Sequence, residues 1–286
     1  MDILQNICEK YNIQIEPITE SNNNYIWWSK EIIIKQYLQK DNFLHEQEAL
    51  SHIQQLQKPY FPKIIDSYPE EKILLIQRLP WQDLEKNREL TSPENREKIY
   101  RQLIQILCEI HSITAPIAYQ FSKNRYSSYL NMYEKAKQNP HISQSKIEEI
   151  HQLVLTTNTA RDNLPCVLIH NDFRVKNIFS DTKDITWIID FENWFYGPLV
   201  LEWLKIKRDL TMITMLWCTD TSPQEIDFMH GLISFLEKEY PEIFGYTQNQ
   251  YNNFYSRECI FKLSRHNEDR YDHKETEWMI KQLFIK

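Results

Sequence analysis

The chain has 286 residues, 42% of them hydrophobic, and a formal net charge of −7. That is enough apolar material for one bilobal unit or two small domains. The acidity, with no basic stripe carrying interleaved aromatics, argues against nucleic acid as a partner. Only three glycines occur, Gly197, Gly231 and Gly245. This excludes a Walker A loop and a dinucleotide fingerprint, which need glycine where backbone approaches phosphate. The five cysteines (Cys8, Cys108, Cys166, Cys218, Cys259) are scattered, without metal-ligand spacing, as expected of reduced thiols in a cytoplasmic protein. The N-terminus lacks the basic region and apolar core of a secretory signal, and no apolar run is long enough to span a membrane.

In chain order, residues 14–18 and 25–28 read as strands flanking a polar turn at 19–24, Thr-Glu-Ser-Asn-Asn-Asn. Residues 31–35 form an apolar strand closed by Lys35. Its rivals Lys30 and Lys40 lack an apolar approach. Residues 42–53 carry Phe43, Leu50 and Ile53 in helical rhythm. Residues 72–80 read as a buried strand leaving into a linker, and a boundary is expected at 79–82. Thr91-Ser92-Pro93-Glu94 starts a helix whose apolar spacing runs through Ile99, Leu103, Ile106, Leu107 and Ile110 to His111. Further helices are expected over 124–138, 142–158, 199–217, 223–240 and the C-terminal stretch.

The most informative segment lies between the second and third of those helices. An apolar run, Val167-Leu168-Ile169, leads into His170-Asn171-Asp172-Phe173-Arg174-Val175-Lys176-Asn177, and a second apolar run ends in Asp190. Residues 177–180 and 185–190 with the polar turn 181–184 make a hairpin. Asn177 then begins its first strand and Asp190 ends its second, so both lie at the open end, beside the loop carrying Asp172. This is the spacing that phosphoryl transfer from a magnesium nucleotide requires. Asn177 and Asp190 supply hard oxygen ligands for Mg, which keeps its other positions for water and phosphate. Asp172 is left to orient an acceptor hydroxyl and take its proton. The fork of Arg174 suits a γ-phosphate.

Those residues, with Ile188-Ile189-Asp190-Phe191-Glu192 and the following Tyr196-Gly197-Pro198, resemble the aminoglycoside phosphotransferase and choline kinase family, a small-molecule branch of the protein-kinase fold. The resemblance is specific over residues 166–203 and loose elsewhere. It implies an α+β, bilobal, protein-kinase-like fold. Residues 1–79 would form a small antiparallel-sheet nucleotide-binding lobe, and 80–286 a larger, mainly helical catalytic and substrate-binding lobe. It further implies that Lys35 anchors ATP phosphates, paired with Glu46 or, as the alternative, Glu48. Backbone groups of Gln77 and Leu79 would meet the adenine. Ser21 and Asn22 would cover the phosphates from a turn without the family's usual glycine; asparagine is at ease there because it tolerates positive φ. Trp81 stands where related chains often have glycine, and Glu202 where the family usually has Asp.

The acceptor implied is a small alcohol, with no membrane or nucleic acid involved. Acids and aromatics after Asp190, with Glu192 and Trp194 foremost, suit an amine-bearing, cationic molecule through ion pairing and cation–π contact. Three readings follow. The first is an ATP-dependent kinase of a small cationic alcohol. The second is an antibiotic-modifying kinase of the aminoglycoside type. The third, kept open by the glycine-free turn, is a pseudokinase acting as a nucleotide-binding interaction module. Oligomeric state is not legible.

Overall fold

The structure is a computed structural model and describes residues 3–20, 24–79, 82–83, 93–116, 129–157, 164–173, 177–180, 186–215, 223–241, 246–267 and 273–284. In chain order its elements are α1 (Ile3–Tyr11), β1 (Glu16–Glu20), β2 (Asn24–Trp28), β3 (Ile32–Tyr37), α2 (Lys40–Gln54), β4 (Ile64–Tyr68), β5 (Ile73–Gln77), β6 (Gln82–Asp83), α3 (Pro93–His111), α4 (Tyr129–Ala136), α5 (Gln144–Thr156), β7 (Val167–Ile169), β8 (Ile178–Ser180), β9 (Thr186–Ile188), a 3₁₀ turn (Phe191–Asn193), β10 (Phe195–Gly197), α6 (Val200–Met215), α7 (Pro223–Glu239), α8 (Gln248–Ser264) and α9 (His273–Phe284). By packing, the chain divides into two units, each discontinuous in sequence. The first is Met1–Ile113 with His170–Phe195; the second is Thr114–Ile169 with Tyr196–Lys286. The boundary expected at 79–82 does not coincide with this division by packing, and residues 80 and 81 lie outside those described.

The first unit is built on a five-stranded antiparallel sheet in the order β1-β2-β3-β5-β4. Alternation along β3 sorts its side chains between two faces. Ile32 and Ile34 join Ile73, Leu75 and the α1 residue Ile7 in one core cluster. The opposite parity carries Lys35 and Tyr37 to α2, where both meet Glu46. Helix α1 was not legible beforehand: nine residues are too few to hold a helix alone. It is held by Ile3, Leu4, Ile7 and Tyr11 on the sheet and by Lys10 and Tyr11, which donate to Asp66 on β4 at 2.7 Å each.

The expected hairpin is present as β8 and β9, with pairs Ile178↔Ile188, Phe179↔Trp187 and Ser180↔Thr186. β6 pairs on the outside of β8. The Trp187 indole N–H donates to Pro59 O at 3.3 Å, and Gln102 of α3 accepts the Thr186 N–H at 2.9 Å. These bonds seat the hairpin within the first unit.

The second unit is mainly helical, with α8 at its centre. Residues 253–260 of α8 are buried throughout, which explains the absence of an amphipathic stripe: a helix surrounded on all sides has no solvent face. Asn253 and Arg257 anchor it through hydrogen bonds inside the unit. Asn253 donates to Val154 O and Thr157 Oγ1, and accepts from Arg257 Nε at 3.0 Å. Thr247 and Gln250 close a capping box at its start. Observed helix bounds fall within two residues of expectation for α5, α6 and α7. Cys8, Cys108, Cys166 and Cys259 are free thiols. Among the described residues no helix is long and apolar enough to cross a membrane.

Candidate active site

The site is assembled wholly within the first unit. Helix α2 presents Phe43, Glu46, Ala49, Leu50 and Ile53 on its buried face, a spacing that follows the helical repeat. Glu46 therefore faces the sheet and lies 2.6 Å from Lys35 Nζ. Glu48 turns outward, with its side chain 59% exposed, toward His52. Lys30 and Lys40 are both exposed. Tyr37, two residues beyond Lys35 on the same face, donates its hydroxyl to the same Glu46 oxygen at 2.6 Å. Alternation along β3 was the signal for Tyr37, and sequence reasoning passed over it.

Lys35 is only 7% exposed and meets three carboxylates. Besides Glu46 these are Asp190 at 3.3 Å and Glu192 at 3.5 Å. Burial works against its charge, but Glu46, Asp190 and Glu192 more than offset it and hold the lysine above its ordinary pKa. Burial likewise pushes the Glu46 carboxyl up, with Lys35 opposing. One oxygen from each of the three acids lies within 4.8 Å of the others. Like charges at that range demand a cation, and the Lys35 ammonium serves as one.

The segment carrying Asp172 is anchored by His170, which is fully buried. Its Nε2 lies 3.0 Å from Ile189 O, and its Nδ1 3.2 Å from the Asp172 N–H. A carbonyl can only accept and an N–H only donate, so the ring is the neutral tautomer with its proton on Nε2. Phe191 and Phe173 pack edge-on against it. The histidine thus locks the loop bearing Asp172 to the strand end bearing Asp190.

Asn177 donates through Nδ2 to both Asp172 O (2.8 Å) and Asp172 Oδ2 (3.0 Å). Both amide hydrogens are used, which leaves Oδ1 as the group available to a cation. Across the hairpin the Ile189 N–H donates to Asn177 O at 3.0 Å, so Asp190 is the next residue past the pair. Asp190 sits at φ 67°, ψ 66°, and Asn171 at φ 64°. Left-handed backbone in a non-glycine residue is a local cost that recurs where side chains must be aimed. An amide oxygen and a carboxylate are the hard donors that Mg²⁺ takes, so this pair fits that ion.

Glu192 and Trp194 turn inward against α2. Glu192 accepts from Asn24 Nδ2 at 2.9 Å and Asn42 Nδ2 at 3.0 Å. Trp194 is 3% exposed, stacks on His45 at 5.1 Å, and donates its indole N–H to His45 O at 2.5 Å. Their partners Asn24, Asn42 and His45 had no signal in sequence, being single polar residues in distant segments. At the expected hinge, the Gln77 N–H already donates to Lys63 O at 2.8 Å and the Arg78 N–H to Glu31 O. Gln77 could therefore meet a base only through its carbonyl; Leu79 is buried. Ser21, Asn22, Trp81 and Arg174 lie outside the described residues. Glu202, in the second unit, is fully buried in the first turn of α6, where a carboxylate is favoured by the helix N-terminus.

Several solved structures share this architecture. Aminoglycoside phosphotransferase APH(2'')-Ib, bound to ADP, is 13% identical with a TM-score of 0.66, over 99% of this chain and 97% of that one. A thermostable mutant of aminoglycoside phosphotransferase APH(4)-Ia, in ternary complex with ADP and hygromycin B, is 12% identical with a TM-score of 0.67, over 99% and 97%. A choline/ethanolamine kinase family protein from Mesorhizobium loti is 14% identical with a TM-score of 0.61, over 97% and 89%. No curated protein matches by sequence. At such identities the likeness shows the fold: α+β and kinase-like, as expected, with a small antiparallel sheet and a mainly helical remainder. The description "Phosphotransferase enzyme family" matches residues 15–247, and with the site's own geometry beside it, the chain belongs to that family.

Proposed function

We propose that the protein is an ATP-dependent small-molecule kinase that moves the γ-phosphoryl group of ATP to a hydroxyl of a small, cationic acceptor. Residues 1–79 would serve as the nucleotide-binding lobe, and 80–286 as the catalytic and substrate-binding lobe. The observation that carries the reading is the convergence on Lys35 of Glu46 from α2 and Asp190 from the end of the β8–β9 hairpin, at 2.6 and 3.3 Å.

In this reading Lys35 binds the α- and β-phosphates, and Glu46 fixes the position of its ammonium. Asp172 accepts the proton of the acceptor hydroxyl, its carboxylate oriented by one bond from Asn177 and its main-chain carbonyl held by the other. Arg174 steadies the γ-phosphate, Ser21 and Asn22 cover the phosphates, and the Gln77 carbonyl with the Leu79 backbone meets the adenine. Magnesium held by Asn177 Oδ1 and the Asp190 carboxylate would supply charge neutralisation at the phosphate oxygens. Support for a cationic acceptor comes from the net charge of −7 and from neighbours whose names carry aminoglycosides, choline and ethanolamine. Glu192 and Trp194, the expected acceptor contacts, would take that role only by giving up their bonds to Asn24 of β2 and to Asn42 and His45 of α2.

The test is a coupled ADP-release screen across aminoglycosides, choline-like amines, amino alcohols and hydroxylated guanidines. Acceptor-dependent ADP release is expected, and Asp172→Ala should lower turnover by roughly 10²- to 10⁴-fold with Mg-ATP binding retained. An undiminished rate in that variant would remove Asp172 from the chemistry. Nucleotide binding with no turnover on any acceptor would favour the pseudokinase reading.

A further inference from the structure

Two residues past Asp190, Glu192 makes four connections to other parts of the first unit. Its Oε2 accepts from Asn24, the first residue of β2 and the last residue of the expected phosphate-covering turn. Its Oε1 accepts from Asn42, in the first turn of α2. The carboxylate lies 3.5 Å from Lys35 Nζ. Its main-chain oxygen is 2.9 Å from His45 Nδ1, which must carry the proton because a carbonyl only accepts. Trp194 extends the same seam through His45. The bonds to Asn24 and Asn42 are charge-assisted and half-buried or better, the class of hydrogen bond that contributes most and fixes geometry best.

We infer that Glu192 is a positioning residue for the nucleotide, a latch that ties the metal-ligand turn, the lysine–glutamate helix and the edge of the covering hairpin into one arrangement. The inference rests on the kinase reading above. A covering turn with glycine can close on phosphate through backbone freedom; this chain has no glycine before residue 197. Glu192 supplies instead a fixed acceptor that Asn24 can hold. It contacts Lys35 more distantly than Glu46 and Asp190 do, and its two oxygens already have amide donors. It can therefore yield the lysine to an incoming phosphate without being left unpaired.

The experiment uses the full-length chain and isothermal titration with Mg-AMP-PNP. Asn42→Leu removes the donor without adding charge, and should weaken nucleotide binding by about tenfold, the size of coupling usual for one charge-assisted bond. Asn42→Asp sets two carboxylates against each other and should weaken it at least as much. The double variant Asn42→Asp with Glu192→Gln reverses donor and acceptor at unchanged net charge, and should return binding to within about threefold of the parent. A merely structural role would lower the thermal midpoint of the unliganded variants without this pattern in nucleotide affinity. Binding by Asn42→Leu equal to the parent, or a double variant no better than Asn42→Asp alone, overturns the latch while leaving the kinase reading intact. Failure of the parent chain itself to bind Mg-AMP-PNP overturns the kinase reading and the latch with it.

Discussion

Lys35 carries the electrostatics of the site. It is the buried cation among Glu46, Asp190 and Glu192, and removing it leaves three carboxylates facing one another at short range. Lys35→Met should therefore destabilise the protein by about 3–5 kcal/mol, the cost of an uncompensated buried charge. Glu46→Gln should cost less than half of that, since Lys35 keeps two carboxylates and the amide can still accept from the Tyr37 hydroxyl. Urea unfolding of the unliganded variants measures both; equal losses would mean that Lys35 is held by Glu46 alone. The two substitutions should also differ in function. In the proposed kinase reading, Lys35→Met would remove the phosphate-binding group, whereas Glu46→Gln would only loosen it.

At the scale of elements, α1 shows how a helix absent from the sequence signal is fixed by its surroundings. Hydrogen bonds from Lys10 and Tyr11 hold the Asp66 carboxyl below its ordinary value of 3.8. A carboxyl whose pKa is depressed in the folded state contributes stability that is present above the unfolded value and lost as pH falls through the folded one. The parent should thus melt higher than Asp66→Asn at neutral pH, and the gap should close as pH is lowered below about 4, Asp being neutral in the unfolded chain there. The difference will be modest, because Lys10 is exposed and solvent screens the pair. A gap that stays constant with pH would show that α1 docks through its apolar face alone. The β8–β9 hairpin is the opposite case. Its pairing is local, its apolar runs alternate with polar turns, and it was legible at once.

For the whole molecule, the kinase-like fold brings distant segments of chain into one unit. The chain leaves the first unit after Ile113 and returns at His170, so no contiguous piece holds both Lys35 and Asp172 without crossing the second unit. The overall charge of −7 gives a further expectation. A cationic acceptor is drawn to an acidic protein, and salt screens that attraction over about 10 Å at 0.1 M. Its KM should rise with ionic strength while kcat at saturation changes little. Steady-state kinetics across a salt series with the acceptor found by screening would check this, and a KM indifferent to salt would remove charge from acceptor recognition.

Spacing along the chain was enough to point to the family. His170, Asp172, Asn177 and Asp190 are joined by a loop and a hairpin, and short-range hydrogen bonding turns their separations directly into neighbouring positions. The family and the class of fold followed from those residues. Which way a side chain turns was decided by tertiary structure. Helix α2 turns Glu46 inward and Glu48 outward because its apolar face must meet the sheet. Glu192 and Trp194, acid and aromatic as any acceptor wall would be, are drawn into the first unit by Asn24, Asn42 and His45, whose approach depends on how the whole sheet and helix pack. Composition tells what a residue can bind; only the packed chain tells which of its possible partners reaches it first.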